Sequence, residues 1–146
     1  LINRLSQKSS LKTENKPGVT RQNIMKTLSF GVDLIDTPGI LPPSLDSRET
    51  GEKLAFLGSV APASYDTTNI ACRLIEFLQS EYPSTIPNKY EVDIKDLSSF
   101  EALTEIAKKR SMKLKGNEYD VLRASEMILS DFRNGKLGKI SLERPR

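Results

Sequence analysis

An apolar run in the first third of the chain ends abruptly in a proline-glycine turn, and this pattern limits the folds that the chain can adopt. Residues 30–35, Phe-Gly-Val-Asp-Leu-Ile, are followed at once by Asp36-Thr37-Pro38-Gly39. Apart from Asp33 the run is nearly continuously apolar, which is typical of a buried strand in an α/β sheet. A second strand is predicted at residues 23–28, and the turn at residues 29–31 makes the pair a hairpin. The sequence therefore indicates an α/β unit in this part of the chain.

Helical periodicity dominates after this turn. Pro42-Pro43 prevents a helix before Ser44, and four amphipathic segments follow. The predicted helices are one after Gly51 with apolar Leu54, Ala55 and Leu57, one capped by Asp66, one that starts at a Ser98–Glu101 capping box and buries Phe100, and one capped by Asn117 with Val121, Leu122 and Ile128 on one side. We predict an α/β fragment at residues 1–47 and an all-α helical bundle at residues 48–146.

Composition excludes several kinds of site. The 146 residues include one cysteine, Cys72, and no histidine, so an internal disulfide, a Cys/His zinc site and a histidine base are excluded. We interpret Cys72 as a small buried hydrophobe without a functional role. No apolar stretch approaches the roughly 20 residues that span a bilayer. The chain starts at Leu1 with neither an initiator Met nor a signal-peptide pattern, and we expect it to be part of a longer protein.

The Asp-Thr-Pro-Gly turn carries the clearest chemistry. It places a carboxylate and an unhindered backbone amide at the carboxyl edge of a sheet, where α/β proteins bind ligands. Asp36 suits a hydrated Mg²⁺, and the Gly39 N–H can closely approach a phosphate oxygen. Thr20 ends the loop at residues 16–20, and its hydroxyl suits the same ion. A Pro-Gly turn alone is more often only a turn, but the two motifs together favour a γ-phosphate sensor.

Positive charge is concentrated late in the chain. Residues 108–115 contain five cations and no acid: Lys108, Lys109, Arg110, Lys113 and Lys115. Five more cations follow Asp131 against a single acid. Dense cations without acids attract nucleic-acid phosphates, although such a run can also be only a solvated helix end. The four tyrosines lack RNA-stacking spacing, so we interpret them as packing residues.

The motifs together resemble a known family. Pro17-Gly18-Val19-Thr20-Arg21 and the Asp-Thr-Pro-Gly turn are similar to the second and third signature motifs of translation-factor-class GTPases. Leu1-Ile2-Asn3-Arg4-Leu5, Ile40-Leu41-Pro42-Pro43 and residues 131–140 resemble the ribosome biogenesis GTPase A family, and the resemblance spans essentially the whole chain.

This resemblance implies a circularly permuted P-loop GTPase domain, present in part, followed by the helical domain. It implies GTP or GDP and Mg²⁺ as ligands, with Thr20, Pro38 and Gly39 at the nucleotide and Thr20 and Asp36 at the metal. It also implies late assembly of the large ribosomal subunit, with GTP-dependent binding to the pre-ribosomal particle and release on hydrolysis. The five cations of residues 108–115 then become an rRNA-binding surface. We expect a monomer in the cytoplasm, or in the mitochondrial matrix if the source is eukaryotic.

One departure from the family pattern, and one difference from many other GTPases that the family shares, qualify this prediction. The Gly-rich phosphate loop is expected immediately before Leu1 and the guanine-specificity motif farther upstream, so this chain alone should bind GTP weakly. Ile40 follows Gly39, where many GTPases have a glutamine that orients water. We therefore assign no catalytic residue within the chain. The alternative function is a non-enzymatic, helical RNA-binding module with a vestigial GTPase fragment.

Overall fold

The computed structural model describes residues 24–27, 33–36 and 47–143. Contacts between Cα atoms divide the chain after Asp46 into two compact units, residues 1–46 and 47–146, and each is described by itself. The predicted helix at residues 1–7, the polar loop at 8–20 and the prolines at 42–43 lie outside the described residues.

In the first unit the described residues form an antiparallel strand pair. Strand β1 (Ile24–Thr27) pairs with β2 (Asp33–Asp36), with Ile24 opposite Asp36 and Thr27 opposite Asp33. Antiparallel pairing is what a direct hairpin connection requires. Both strands are shorter than the sequence pattern predicted. Asp36, the residue predicted to bind metal, is the last residue of β2.

The second unit is helical. Its elements are α1 (Arg48–Phe56), a 3₁₀ turn (Pro62–Ser64), α2 (Thr67–Glu81), α3 (Thr85–Tyr90), α4 (Ser99–Lys109) and α5 (Val121–Arg133). Helix α2 packs against each of the other four helices, and α4 also packs against α5. Among the described residues, no helix combines the length and apolar character that a membrane crossing requires.

Side-chain caps set where these helices begin. Asp66 accepts a 2.6 Å hydrogen bond from the Asn69 N–H, and Ser98 forms a complete capping box with Glu101, which confirms both predicted caps. The Asn117 cap predicted for α5 is wrong, because Asp120 accepts from the Arg123 N–H at 2.9 Å instead.

The observed starts of α5 and α1 differ from the predicted ones, and the residues Asn117 and Ser47 explain why. Asn117 has a left-handed backbone, with φ of 68°, and belongs to the preceding loop, whereas an N-cap usually has an extended backbone. Helix α1 begins before Gly51 and contains it, since Ser47 caps the helix through the Thr50 N–H.

The core lies along α2. Ala71, Leu74, Ile75 and Leu78 have no exposed surface, and they meet apolar residues of the other helices, among them Ile86, Leu103, Ile106, Ile128 and Leu129. Burying an aliphatic side chain of this kind contributes about 1.5–3 kcal/mol relative to exposure. The burial of α2 on several sides therefore makes it the organising element of this unit.

Two predicted core residues are not in the core. Phe100 and Leu122 are each 54% exposed. Each lies two positions before the first fully buried residue of its helix, Ala102 in α4 and Ala124 in α5. At 3.6 residues per turn, this places both side chains roughly a quarter-turn from the middle of the buried stripe. Leu57, also predicted to be apolar-facing, follows the end of α1 and is 55% exposed.

Candidate functional site

The structure describes one residue of the predicted nucleotide site. Asp36 ends β2 opposite Ile24 in the strand pair. Thr20, Pro38 and Gly39 lie outside the described residues, so their approach to Asp36 stays a prediction. Among the described residues no group of three or more acidic, cysteine or histidine side chains could hold a metal ion.

The five cations predicted to bind RNA lie on one connected stretch of surface. Lys108 and Lys109 occupy the last turn of α4, Arg110 is its C-cap, and Lys113 and Lys115 lie in the loop that follows. All five residues are exposed. Lysine in the last turn of a helix is favoured by the helix dipole, so two of these cations also stabilise the helix that presents them.

Two of the cations form ion pairs on the surface. Lys108 Nζ lies 3.4 Å from Glu105 Oε1 in the same helix, and Lys109 Nζ lies 3.3 Å from Glu91 Oε2, just after α3. Glu91 is far from the basic run in the sequence, so the sequence of the run did not reveal this acid. The folded surface around the five cations therefore carries more negative charge than the sequence alone indicated. Pairs this exposed contribute about 0–1 kcal/mol. Both lysines therefore remain able to exchange their partners for phosphate groups.

Arg110 is held in a defined position. Its guanidinium lies 5.6 Å from the centre of the Tyr90 ring, and Nη2 donates to the Lys89 carbonyl at 3.3 Å. A cation over an aromatic face is attracted by the ring quadrupole. Arg110 thus contacts both a backbone carbonyl and the ring of Tyr90, and it connects the surface to the core beneath.

Tyr90 is the buried end of this connection. It is 1% exposed, and its hydroxyl donates a 3.0 Å hydrogen bond to Asp131 Oδ2. Burial and the neighbouring Asp131 carboxylate raise the pKa of the Tyr90 hydroxyl. Asp131 Oδ1 in turn lies 3.3 Å from Lys136 Nζ. The interpretation of Tyr90 as a packing residue is confirmed, since a buried ring cannot stack on a base.

The loop after α4 is a short hairpin. Lys113 forms an antiparallel bridge with Tyr119, and the Leu114 N–H donates to the Glu118 carbonyl at 2.8 Å. Gly116 has φ of 101°, a conformation that side chains rarely adopt. Lys113 Nζ donates to Asn117 Oδ1 at 2.8 Å, across the tip. The hairpin fixes the backbone that carries Lys113 and Lys115 and leaves their side chains at the surface.

Arg133, one of the cations after Asp131, is not a free surface charge. Its Nε donates to the Phe56 carbonyl at 2.9 Å, and its Nη2 donates to the Ala55 carbonyl at 2.8 Å and to the Tyr65 hydroxyl at 3.1 Å. The guanidinium therefore caps the C-terminal end of α1. Sequence reasoning missed this role because Arg133 and α1 lie far apart along the chain.

Cys72 is half-buried and packs against the core. Burial raises the pKa of its thiol, which keeps it protonated and poorly nucleophilic at neutral pH. This fits the interpretation of Cys72 as a packing residue.

Comparisons with known proteins give these features a context. A family model described as "50S ribosome-binding GTPase" matches residues 1–118. Ribosome biogenesis GTPase A from Bacillus licheniformis is 32% identical over 99% of this chain and 51% of its own length, and the Thermotoga maritima protein of that name is 30% identical over 99% and 51%. Nucleolar GTP-binding protein 2 from Yarrowia lipolytica is 34% identical over 94% of this chain and 26% of its own.

Two solved structures are also similar to this chain. YlqF from T. maritima with bound GNP has a TM-score of 0.61 at 26% identity, covering 98% of this chain and 52% of that one. A structure of GDP-bound TM YlqF has a TM-score of 0.60 at 27% identity, covering 99% and 54%. The chain thus spans about half the length of the ribosome biogenesis GTPase A relatives that it matches. The predicted family is confirmed: this chain belongs to the 50S ribosome-binding GTPase family.

Proposed function

We propose that the full-length protein is a GTPase that acts in assembly of the large ribosomal subunit, binding the pre-ribosomal particle in its GTP form and leaving after hydrolysis. One observation carries this proposal. The match to the family model extends from Leu1 through the phosphate-sensor motifs to the basic hairpin, so both predicted sites lie within the part of the chain that matches one family. The bacterial relatives support the cytoplasm, rather than the mitochondrial matrix, as the place of action.

The nucleotide site is proposed to use both motifs of the first unit. Thr20 and Asp36 would hold Mg²⁺, and Thr20, Pro38 and Gly39 would contact the γ-phosphate side of GTP. The position of Asp36 at the end of β2 supports this assignment, since α/β proteins bind ligands beyond the carboxyl ends of strands. When bound, Mg²⁺ neutralises charge on the β- and γ-phosphates. The YlqF structures with bound GDP and with bound GNP are of similar proteins and support nucleotide binding here.

Hydrolysis needs a group that this chain does not provide at the usual position. Ile40 follows Gly39 and cannot orient a water molecule by hydrogen bonding. We therefore assign water activation to another part of the full-length protein or to the ribosomal particle. The chain itself would supply contacts to the metal and to the phosphates. These contacts would stabilise the GTP-bound state, and none of them would transfer a proton.

The ribosome-facing site is proposed to be the basic surface of the helical unit. Lys108, Lys109, Arg110, Lys113 and Lys115 would contact rRNA phosphates. Their support is geometric: all five are exposed, Arg110 is fixed over Tyr90, and Lys113 and Lys115 are carried on a short hairpin. Phosphate contacts of this kind contribute affinity without sequence specificity.

The order of the two units supports a direct switch. We propose that residues 1–47 are the C-terminal part of a circularly permuted GTPase domain and that residues 48–146 are the ribosome-binding domain. In this arrangement the Asp-Thr-Pro-Gly motif lies closer along the chain to the helical unit than any other nucleotide contact does.

The test uses the full-length protein. Co-sedimentation with large ribosomal subunits should be stronger with a non-hydrolysable GTP analogue than with GDP, and subunits should stimulate GTP turnover. Equal co-sedimentation in both nucleotide states, without turnover, would instead support the non-enzymatic RNA-binding module.

A further inference from the structure

Arg133 makes three hydrogen bonds that join distant parts of the helical unit. It ends α5, yet its guanidinium donates to the carbonyls of Ala55 and Phe56 at the end of α1 and to the Tyr65 hydroxyl beyond the 3₁₀ turn. The three N–O distances range from 2.8 to 3.1 Å. The last carbonyls of a helix lack partners within the helix; the Ala55 carbonyl also accepts from the Gly58 N–H at 3.0 Å, so Arg133 adds a second donor there and supplies a donor to the Phe56 carbonyl. The planar guanidinium presents donors on separate nitrogens in a rigid fork, whereas a lysine carries its three donors on one flexibly held nitrogen.

The surroundings of Arg133 are fitted to this arrangement. Gly58 has φ of +72°, and a Cβ at this position would lie 3.1 Å from Arg133 Nε and 3.3 Å from Cδ. Any larger residue would be strained and would also press on the guanidinium. On the neighbouring position of α5, the Phe132 ring packs edge-on against Phe56, with 6.4 Å between ring centres. Polar and apolar contacts thus both hold the C-terminal end of α1 to the C-terminal end of α5.

Helix α1 has a special place along the chain. It is the first helix of the second unit, and residues 37–47 lie between it and β2 along the chain. Any change in the nucleotide site that is transmitted along the backbone reaches the helical unit through α1 first. If α1 could rotate on its own, the change would be absorbed there, because an allosteric signal needs an element with a defined position.

We propose that Arg133 is a positioning residue for nucleotide-dependent ribosome binding: it fixes α1 to the bundle, so that the helical unit reorients as one body when the nucleotide changes. This inference rests on the proposed function and adds a residue that lies in neither the nucleotide site nor the basic surface. Arg133 contacts neither ligand. Its effect is on the difference in ribosome affinity between two nucleotide states.

The experiment compares three variants of the full-length protein with the parent. Arg133→Met removes all three donors and keeps a long side chain. Arg133→Lys keeps the positive charge and loses the planar fork. Arg123→Met is the matched control, because it makes the same chemical change on α5 at an exposed guanidinium that has no partner within the described part of the chain. Hydrogen exchange of the α1 amides and large-subunit affinity with GDP and with a non-hydrolysable GTP analogue are measured for each.

For Arg133→Met we expect α1 exchange to rise roughly tenfold and the affinity ratio between the two states to fall to about one. The large-subunit affinity measured with GDP should stay at the parent value. Arg133→Lys should lose most of the ratio, since charge alone cannot satisfy both carbonyls, and Arg123→Met should match the parent. Should Arg133→Met fail to fold, Arg133→Lys decides the question.

The outcomes separate the two proposals. A parent protein without any affinity difference contradicts the proposed function itself, whatever Arg133 does. A parent with a clear difference that Arg133→Met and Arg133→Lys both retain overturns the positioning role. Unchanged α1 exchange in both variants also overturns it, because Arg133 would then not be what fixes α1. Equal losses in Arg133→Met and Arg123→Met would identify a loss of surface charge and would likewise contradict the proposal.

Discussion

The Tyr90 hydroxyl donates a 3.0 Å hydrogen bond to the Asp131 carboxylate inside the helical unit. Tyr90 is the last residue of α3 and Asp131 lies near the end of α5, so this bond ties the two helix ends together. Arg110 lies over the outer face of the same ring. The position of an exposed cation on the proposed RNA-binding surface therefore depends on a buried hydrogen bond.

Tyr90→Phe should destabilise the helical unit. The change removes the donor and leaves a mostly buried carboxylate oxygen without that partner, at a cost of about 1–3 kcal/mol. Lys136 still pairs with the other oxygen and limits the loss. Urea denaturation followed by circular dichroism measures the effect. Tyr119→Phe is the control, because the half-buried Tyr119 hydroxyl makes no hydrogen bond within the described residues, and equal losses in the two variants would contradict the account.

The same bond predicts a pH dependence at the alkaline end. The pKa of Tyr90 is raised in the folded protein, first by burial and then by Asp131, whereas an unfolded tyrosine has a pKa near 10. Above about pH 10 the unfolded chain loses a proton that the folded chain retains, so stability falls by up to about 1.4 kcal/mol per pH unit. The difference between parent and Tyr90→Phe should be constant below pH 9 and shrink above pH 10. A constant difference across both ranges would contradict the raised pKa.

Much of the helical unit could be predicted from local sequence. Asp66 and the Ser98–Glu101 pair identified two helix starts correctly, because a cap depends on residues within one turn of each other. Asn117 failed as a cap because its left-handed backbone is set by the hairpin that pairs Lys113 with Tyr119. Local residue preference did not distinguish it from Asp120, three positions later.

Contacts across the fold could not be predicted in this way. Glu91 neutralises part of the charge of Lys109, and the exposed Arg133 is held by hydrogen bonds at the end of α1. Both relationships need the packing of helices that are distant in sequence. Helical periodicity also predicted Phe100 in the core, but this residue lies at the edge of the buried stripe. At that edge an apolar residue fits the helical pattern whether it is buried or exposed, so periodicity alone does not place it.

Neutralising the basic surface should weaken binding to large subunits. We expect Lys115→Gln to reduce affinity at low salt and to lower the slope of log affinity against log salt by about one, as the loss of one phosphate contact predicts. Lys95→Gln is the control, because Lys95 is also exposed but lies between α3 and α4, outside the basic run. Co-sedimentation of the variant lacking all five cations at the parent's level would show that the run is only a solvated surface.

The chain studied alone should bind GTP much more weakly than the full-length protein. The sequence contains no phosphate-loop motif of the form Gly-x-x-x-x-Gly-Lys-Ser/Thr, and such a loop supplies the backbone amides and the cation that hold the phosphates. Calorimetric titration with a non-hydrolysable GTP analogue compares the two proteins. Equal affinities would mean that Thr20, Asp36 and Gly39 suffice for binding, contrary to this prediction.

If γ-phosphate contact at Gly39 controls attachment to the ribosome, Gly39→Ala in the full-length protein should abolish the nucleotide dependence of that attachment. The added methyl group blocks close approach of the backbone to the γ-phosphate. Folding should match the parent, and so should GDP affinity, because GDP has no γ-phosphate. The measurement is large-subunit affinity with GDP and with a non-hydrolysable GTP analogue. We predict that the parent binds more tightly with the analogue, by roughly 5- to 150-fold as coupled sites commonly do, and that Gly39→Ala binds equally in both states. A variant that keeps the parent's difference would contradict the account, because Gly39 could not then link nucleotide to ribosome.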